Sequence, residues 1–232
     1  AAVLPPYLQE VVDEASGRRH RRDAALPRTG GPAGNAQLTA WTGLLLLVLF
    51  LAELVTLLSV GSMVTWHIAI GAALIPPALL KTATTGWRMV RYYTGSKHYK
   101  AAGPPPLLLR LLGPLVVLST LALLGTGVLL GLIGADRAFR PLVTVLGFSV
   151  SPLTLHQASF AVWAGATGLH VLARLVPALR TARPSGSGAG TRHGRGLRTL
   201  ALVGATSLAA AASAVLVSTA SSWQHAGALL GG

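Results

Sequence analysis

PLTLHQASFAVWAGATGLHVLARLV, residues 152–176, is an apolar run that carries two histidines, His156 and His170, and no acidic residue. About 20 such residues suffice to cross the hydrocarbon of a bilayer as a helix. Ionisable side chains are costly there and mark functional sites by default. The two histidines are fourteen residues apart. Fourteen residues of α-helix rise ~21 Å and turn through almost four whole turns, so both rings fall on one helical face at two depths. A second run, VTWHIAIGAALIPPALLKTA (64–83), repeats this spacing with His67 and Lys81.

Three further runs, near Leu38–Val60, Pro114–Gly134 and Leu197–Ala220, have comparable length and polarity. The chain of 232 residues is 52% hydrophobic and 11% charged, with a mean hydropathy of +0.59. We therefore expect an all-α fold, a polytopic membrane helical bundle of five transmembrane helices. Four of them form a haem-binding core and one extra helix lies at the C-terminal end. The alternating ten-residue pattern of a membrane β-barrel is absent.

The net charge of +13 points to lipid rather than to nucleic acid. Its Lys and Arg residues fall between the apolar runs, where loop charges of an inner-membrane protein lie and meet anionic head groups. Five precede the first run and none separates the first from the second. Six follow the second, two the third and six the fourth, and none follows the fifth. This alternation places the N-terminus in the cytoplasm and the C-terminus outside a bacterial-type inner (plasma) membrane.

Residues 1–35, with Arg18, Arg19, Arg21 and Arg22 and helix breakers at Gly30, Gly31, Pro32 and Gly34, read as a disordered basic cytoplasmic tail. With no apolar signal core ahead of it, the first run is expected to act as an uncleaved anchor. Residues 36–180 form the four-helix transmembrane bundle, turning between its first two helices at Gly61 and Ser62 and looping over 135–151. Residues 181–196 are a flexible basic linker, and 197–232 hold the fifth helix and an outer tail.

In this topology the second and fourth runs point the same way. His67 and His156, each about one turn in, share a depth, and Lys81 and His170 share a second one nearer the cytoplasm. Matching pairs on two rods can clamp a flat ligand. The chain has no cysteine, which excludes disulfides, Cys-ligated iron–sulfur clusters and covalently attached haem. Metal chemistry then rests on histidine, and the expected cofactor is haem b, held by imidazole nitrogens in a dry slot. One haem uses His67 and His156. A second would use His170 with Lys81 or an external group opposite. Gly71, Gly127 and Gly168 leave room for a macrocycle, although small residues also serve ordinary helix packing.

Lys81 either ligates iron as a neutral amine, neutralises a propionate, or snorkels to the cytoplasmic face. Arg88 and Arg91 either meet a propionate or anchor the helix at the interface. Glu53, the only acid within a run, is a proton relay or a hydrogen-bonding partner for a basic group. A hydroxyl of Ser119, Thr120 or Thr126 is an alternative partner for His170. Hydrolase, metalloprotease, P-loop and dinucleotide-binding motifs are absent.

A helical bundle with two histidines fourteen apart on one run, facing a parallel run with histidine at matching depth, resembles the cytochrome b-type membrane haem proteins. These include cytochrome b subunits and ferric-reductase-like transmembrane proteins. The resemblance covers about residues 38–177 and rests on His67, His156 and His170. It implies bis-histidine haem b, single-electron transfer, and a quinone or a redox partner subunit. A two-haem member would carry a fourth histidine where this chain has Lys81. Two readings outside this class are a non-redox transporter or channel component using Glu53, Lys81 and His170, and a structural membrane anchor or assembly factor.

Overall fold

A computed structural model describes residues 5–18, 23–183 and 194–230. Arg19, Arg21 and Arg22 of the expected tail, and most of the expected linker (184–193), lie outside the described residues. The described chain is almost entirely helical. Its elements are α1 (Pro6–Ala15), α2 (Gly31–Thr56), α3 (Val60–Tyr93), α4 (Lys97–Lys100), α5 (Leu107–Ile133) and α6 (Ala135–Ala138). A two-stranded hairpin follows, β1 (Val143–Val145) with β2 (Phe148–Val150), and then α7 (Pro152–Ala182), α8 (Arg195–Thr219) and α9 (Ser221–Leu230).

Four helical stretches are long and apolar enough to cross a membrane: Gly31–Tyr93, Leu107–Ile133, Pro152–Ala182 and Arg195–Thr219. Their apolar side chains are not gathered inside the protein. Leu172 is 75% exposed, Leu200 67% and Leu118 66%. Contiguous apolar surface of this kind suits lipid and not water, and the protein is membrane-embedded.

The first stretch, 63 residues, doubles back. Thr39 Oγ1 donates to Thr84 Oγ1 at 3.0 Å, Asn35 Nδ2 to Thr84 O at 3.0 Å and Lys81 Nζ to Thr39 O at 3.2 Å. Toward the turn, Glu53 meets His67. In each pair the numbers rise on one side as they fall on the other, so α2 and α3 are antiparallel. The reversal falls on the 3₁₀ turn Leu57–Ser59. The sequence had suggested Gly61 and Ser62, but both already belong to α3, where Ser62 Oγ stands 2.7 Å from Ser59 Oγ. A 3₁₀ turn tightens the chain without a glycine.

The chain divides into two compact units, and every long helix contributes a segment to each. The first comprises Ala1–Leu45, Leu79–Val116 and Ala166–Gly204; the second comprises Leu46–Ala78, Val117–Gly165 and Ala205–Gly232. All Lys and Arg residues except Arg137 and Arg140 fall in the first.

In the first unit, part of the segment expected to be a structureless tail is folded. Residues 6–15 form α1, begun by Pro6 in its first turn, where the missing N–H is no loss. Glu14 is buried and accepts from Arg174 Nη1 of α7 at 2.5 Å. Arg180 donates to Gly17 O, and Arg88 of α3 is paired with Asp23. Acidic and carbonyl groups of the N-terminal segment thus fix cationic helix ends. α2 then starts at Gly31, with Pro32 in its first turn rather than breaking it.

In the second unit, Leu46, Leu74 and Ala78 form a core joined by Leu49, Phe50 and Leu124. Ser213 Oγ of α8 donates to Ala69 O of α3 at 2.7 Å. The segment 135–151, expected as a loop, holds α6 and the hairpin, in which Val143 pairs with Val150 and Val145 with Phe148. Gly134 opens α6 at φ 78°, and a Cβ there would stand 2.9 Å from Ser222 Oγ, which accepts from Ala135 N.

The hairpin of α2 and α3 is testable because the chain has no native cysteine. Thr39→Cys with Thr84→Cys should form an intramolecular disulfide on mild oxidation in most molecules. A single straight helix would hold these positions ~68 Å apart, and failure to cross-link would contradict the antiparallel pairing.

Candidate functional site

His67 and His156 come together in the second unit. Their ring centres are 6.4 Å apart and their planes cross at 86°. His67 projects from α3 and His156 from the first turns of α7, which Ser151 caps by accepting from Thr154 N at 3.2 Å. Co-directional helices with a histidine near each start explain the common depth.

The hydrogen bonds recorded for both rings run through Nδ1. Thr126 Oγ1 of α5 lies 2.8 Å from Ala122 O, 3.0 Å from Leu123 O and 3.0 Å from His156 Nδ1. The hydroxyl has one proton, and it back-bonds to the helix carbonyl as threonines in apolar helices do. With that proton on a helix carbonyl, its oxygen accepts from His156 Nδ1–H. Thr56 repeats the arrangement. Its Oγ1 donates to Glu53 O at 2.6 Å and accepts from His67 Nδ1 at 3.0 Å. Glu53 Oε1 accepts from the same nitrogen at 2.9 Å. In the tautomer that donates from Nδ1, each ring would keep its Nε2 lone pair. Fixing a ring through its other nitrogen is the usual support of a metal-ligating histidine.

Both rings line a cavity of about 300 Å³, whose other walls are mostly apolar, with Leu54, Ile68, Val128 and Leu153 among them. Phe50, Phe160 and Trp163 form one aromatic wall, with Phe50 and Trp163 centroids 4.6 Å apart. Two wall residues, Glu53 and Trp163, carry buried polar atoms, Oε2 and Nε1, that have no hydrogen-bond partner. Trp223 also lines the cavity and donates to Leu130 O at 2.8 Å.

Gly71 and Gly127 are cavity residues, and each sits against the polar groups. A Cβ on Gly127 would stand 3.3 Å from His156 Cε1, and one on Gly71 3.5 Å from Glu53 Oε1. Gly168 has no such place. It is exposed, and a Cβ there would meet nothing within 4 Å.

His170 and Lys81 lie in the first unit, within electrostatic reach of one another and of Arg174. Lys81 does not snorkel. Its ammonium donates to Thr39 O at 3.2 Å and lies where a Cβ on Gly43 would be, 2.7 Å away. Arg88 is taken by Asp23, and Arg91 stacks on Trp87, 5.7 Å from the ring centre. Neither is among the residues that line the cavity. Of the three hydroxyls that the sequence offers His170, Thr126 lies against His156 instead. Among the described residues, no three His, Asp or Glu side chains gather as a metal-holding group.

Thr56 and Thr126 were not legible as supports of the histidines. Threonine in an apolar helix ordinarily back-bonds to its own turn, and only the spatial neighbour reveals the second role. No protein-family model, curated protein or solved structure matches the chain.

Proposed function

We propose that the protein is a membrane-embedded electron-transfer subunit of cytochrome b type, holding one haem b between His67 and His156. The observation that carries this reading is the facing pair of Nδ1-anchored imidazoles on an apolar cavity. A metal bound between two imidazoles, at ~2 Å from each nitrogen, holds the ring centres ~6 Å apart. The observed 6.4 Å fits that geometry. The two orphaned polar atoms on the walls also favour a cavity built around a ligand.

Five spans follow from the same reading, because the hairpin of α2 and α3 counts as two helices of the bundle. The basic loops lie on the cytoplasmic side, with the N-terminus inside and the C-terminus outside. The redox partner is a quinone or a second protein subunit.

Haem, when bound, supplies reversible one-electron storage. The protein's own groups do the rest. His67 and His156 would hold the haem iron, and the group would then relay electrons rather than bind a substrate. Thr56, Glu53 and Thr126 keep each ring in the ligating tautomer. Gly71 and Gly127 keep bulk out of the slot. The aliphatic and aromatic walls exclude water and so limit the charge reorganisation that would slow electron transfer.

The purified protein should show the sharp reduced-state bands of six-coordinate b-type haem, and a colourless preparation given haem during expression would eliminate this reading. His67→Ala and His156→Ala should each abolish those bands, and persistence of the bands in both would mean that other residues bind the iron. Gly127→Leu forces a side chain against His156 and should weaken haem retention about tenfold or more, since overpacking costs about 1–3 kcal/mol. Gly168→Leu, with open space beyond it, should retain wild-type loading. Haem content per protein, measured by absorbance, checks both.

A further inference from the structure

The two histidines have different supports. His156 Nδ1–H is held by the neutral hydroxyl of Thr126. His67 Nδ1–H is held by Thr56 and by a carboxylate, Glu53 Oε1 at 2.9 Å. Glu53 is the only acid within an apolar run of this chain, and its second oxygen, Oε2, is buried without a hydrogen-bond partner. A buried carboxylate with one oxygen unsatisfied is costly unless a positive charge lies nearby. Lys and Arg residues do not line this cavity. Among the described residues, the group recorded against Glu53 that could bring positive charge is the His67 ring, with a cation bound at Nε2. Gly71 contributes by leaving the carboxylate room, since a Cβ there would touch Oε1 at 3.5 Å.

We propose that Glu53 is a positioning residue that makes His67 the stronger of two unequal metal ligands and supplies a negative charge favouring the oxidised metal. This rests on the reading of His67 and His156 as a metal-binding pair. Partial transfer of the Nδ1 proton toward Oε1 pushes electron density to Nε2, as carboxylate–histidine pairs do at metal sites. The same charge acts through a medium of low dielectric constant, where screening is weak. Both effects stabilise the oxidised centre more than the reduced one. Thr126, having no charge, leaves His156 the weaker donor.

Two measurements test this. In the haem-loaded protein, Glu53→Gln keeps an acceptor oxygen for Nδ1–H but removes the charge. It should retain the six-coordinate spectrum while becoming easier to reduce by at least tenfold, a rise of about 59 mV for a one-electron couple. Thr126→Val should move the potential by less than half as much. An unchanged potential in Glu53→Gln, an equal shift in Thr126→Val, or loss of the six-coordinate spectrum in Glu53→Gln would each overturn the proposal.

In haem-free protein, nitrogen NMR of labelled histidine should find His67 as the neutral Nδ1–H tautomer in the wild type and in Glu53→Gln. With Thr56→Val removing the other acceptor, the Nδ1–H tautomer should persist while Glu53 is present and give way to a mixture in Glu53→Leu. A wild-type His67 protonated at Nε2, alone or on both nitrogens, would overturn the positioning role. A wild type that never takes up haem ends the electron-carrier reading by itself, and the tautomer measurement still decides what Glu53 does to His67.

Discussion

Thr56 and Thr126 each have one hydroxyl proton, and each gives it to a carbonyl of its own helix, Glu53 O and Ala122 O. Everything proposed for the cavity depends on that allocation. Once the proton is committed, the hydroxyl oxygen can only accept, and the facing imidazole must donate from Nδ1. In water a histidine would exchange between tautomers. Within a bilayer an unmade hydrogen bond is expensive, which favours the Nδ1–H form. The two free Nε2 lone pairs then belong to rings whose centres are 6.4 Å apart. The helices supply position, and the threonines supply chemical state.

The two units differ in how they handle charge. The first carries nearly all the basic residues, and its buried charges are tied locally. Glu14 holds Arg174, Asp23 holds Arg88, and Thr39 O accepts from Lys81. The second carries little charge, and three of its ionisable residues, Glu53, His67 and His156, line one cavity. Exposed ion pairs contribute little to stability. The Glu14–Arg174 pair differs, because Glu14 is almost wholly buried and draws α1 down onto α7. A segment that reads as polar and glycine-broken is ordered in this way by contacts 160 residues distant in sequence.

What was legible in the sequence follows from periodicity and from the cost of polarity in lipid. Runs of apolar residues located the long helices, but the helices extend past the runs, α3 by ten residues from Ala83 to Tyr93. The shared fourteen-residue spacing, with the direction of the second and fourth runs, anticipated that His67 and His156 would meet. Glu53 stood out because no other acid occupies an apolar run, and it is found on His67. The failures have equally physical causes. Lys81 had enough aliphatic stem to snorkel, but Gly43 on the neighbouring helix leaves a space that its ammonium occupies, with a carbonyl to bond. Gly168 shares a helix with His156 but faces outward, because helix face and not spacing alone decides what a glycine makes room for. The reversal at Leu57–Ser59 was invisible because a 3₁₀ turn needs no glycine or proline to mark it.

On the proposed reading, Nε2 of His67 on α3 and Nε2 of His156 on α7 would hold one metal in a single apolar cavity. Pulsed electron paramagnetic resonance of the oxidised, haem-loaded protein with isotopically labelled histidine tests it most directly. The account predicts a low-spin signal coupled to two histidine nitrogens, one lost when His67 is replaced and the other when His156 is replaced. Coupling to a single histidine nitrogen, or to a pair that survives both replacements, would contradict it.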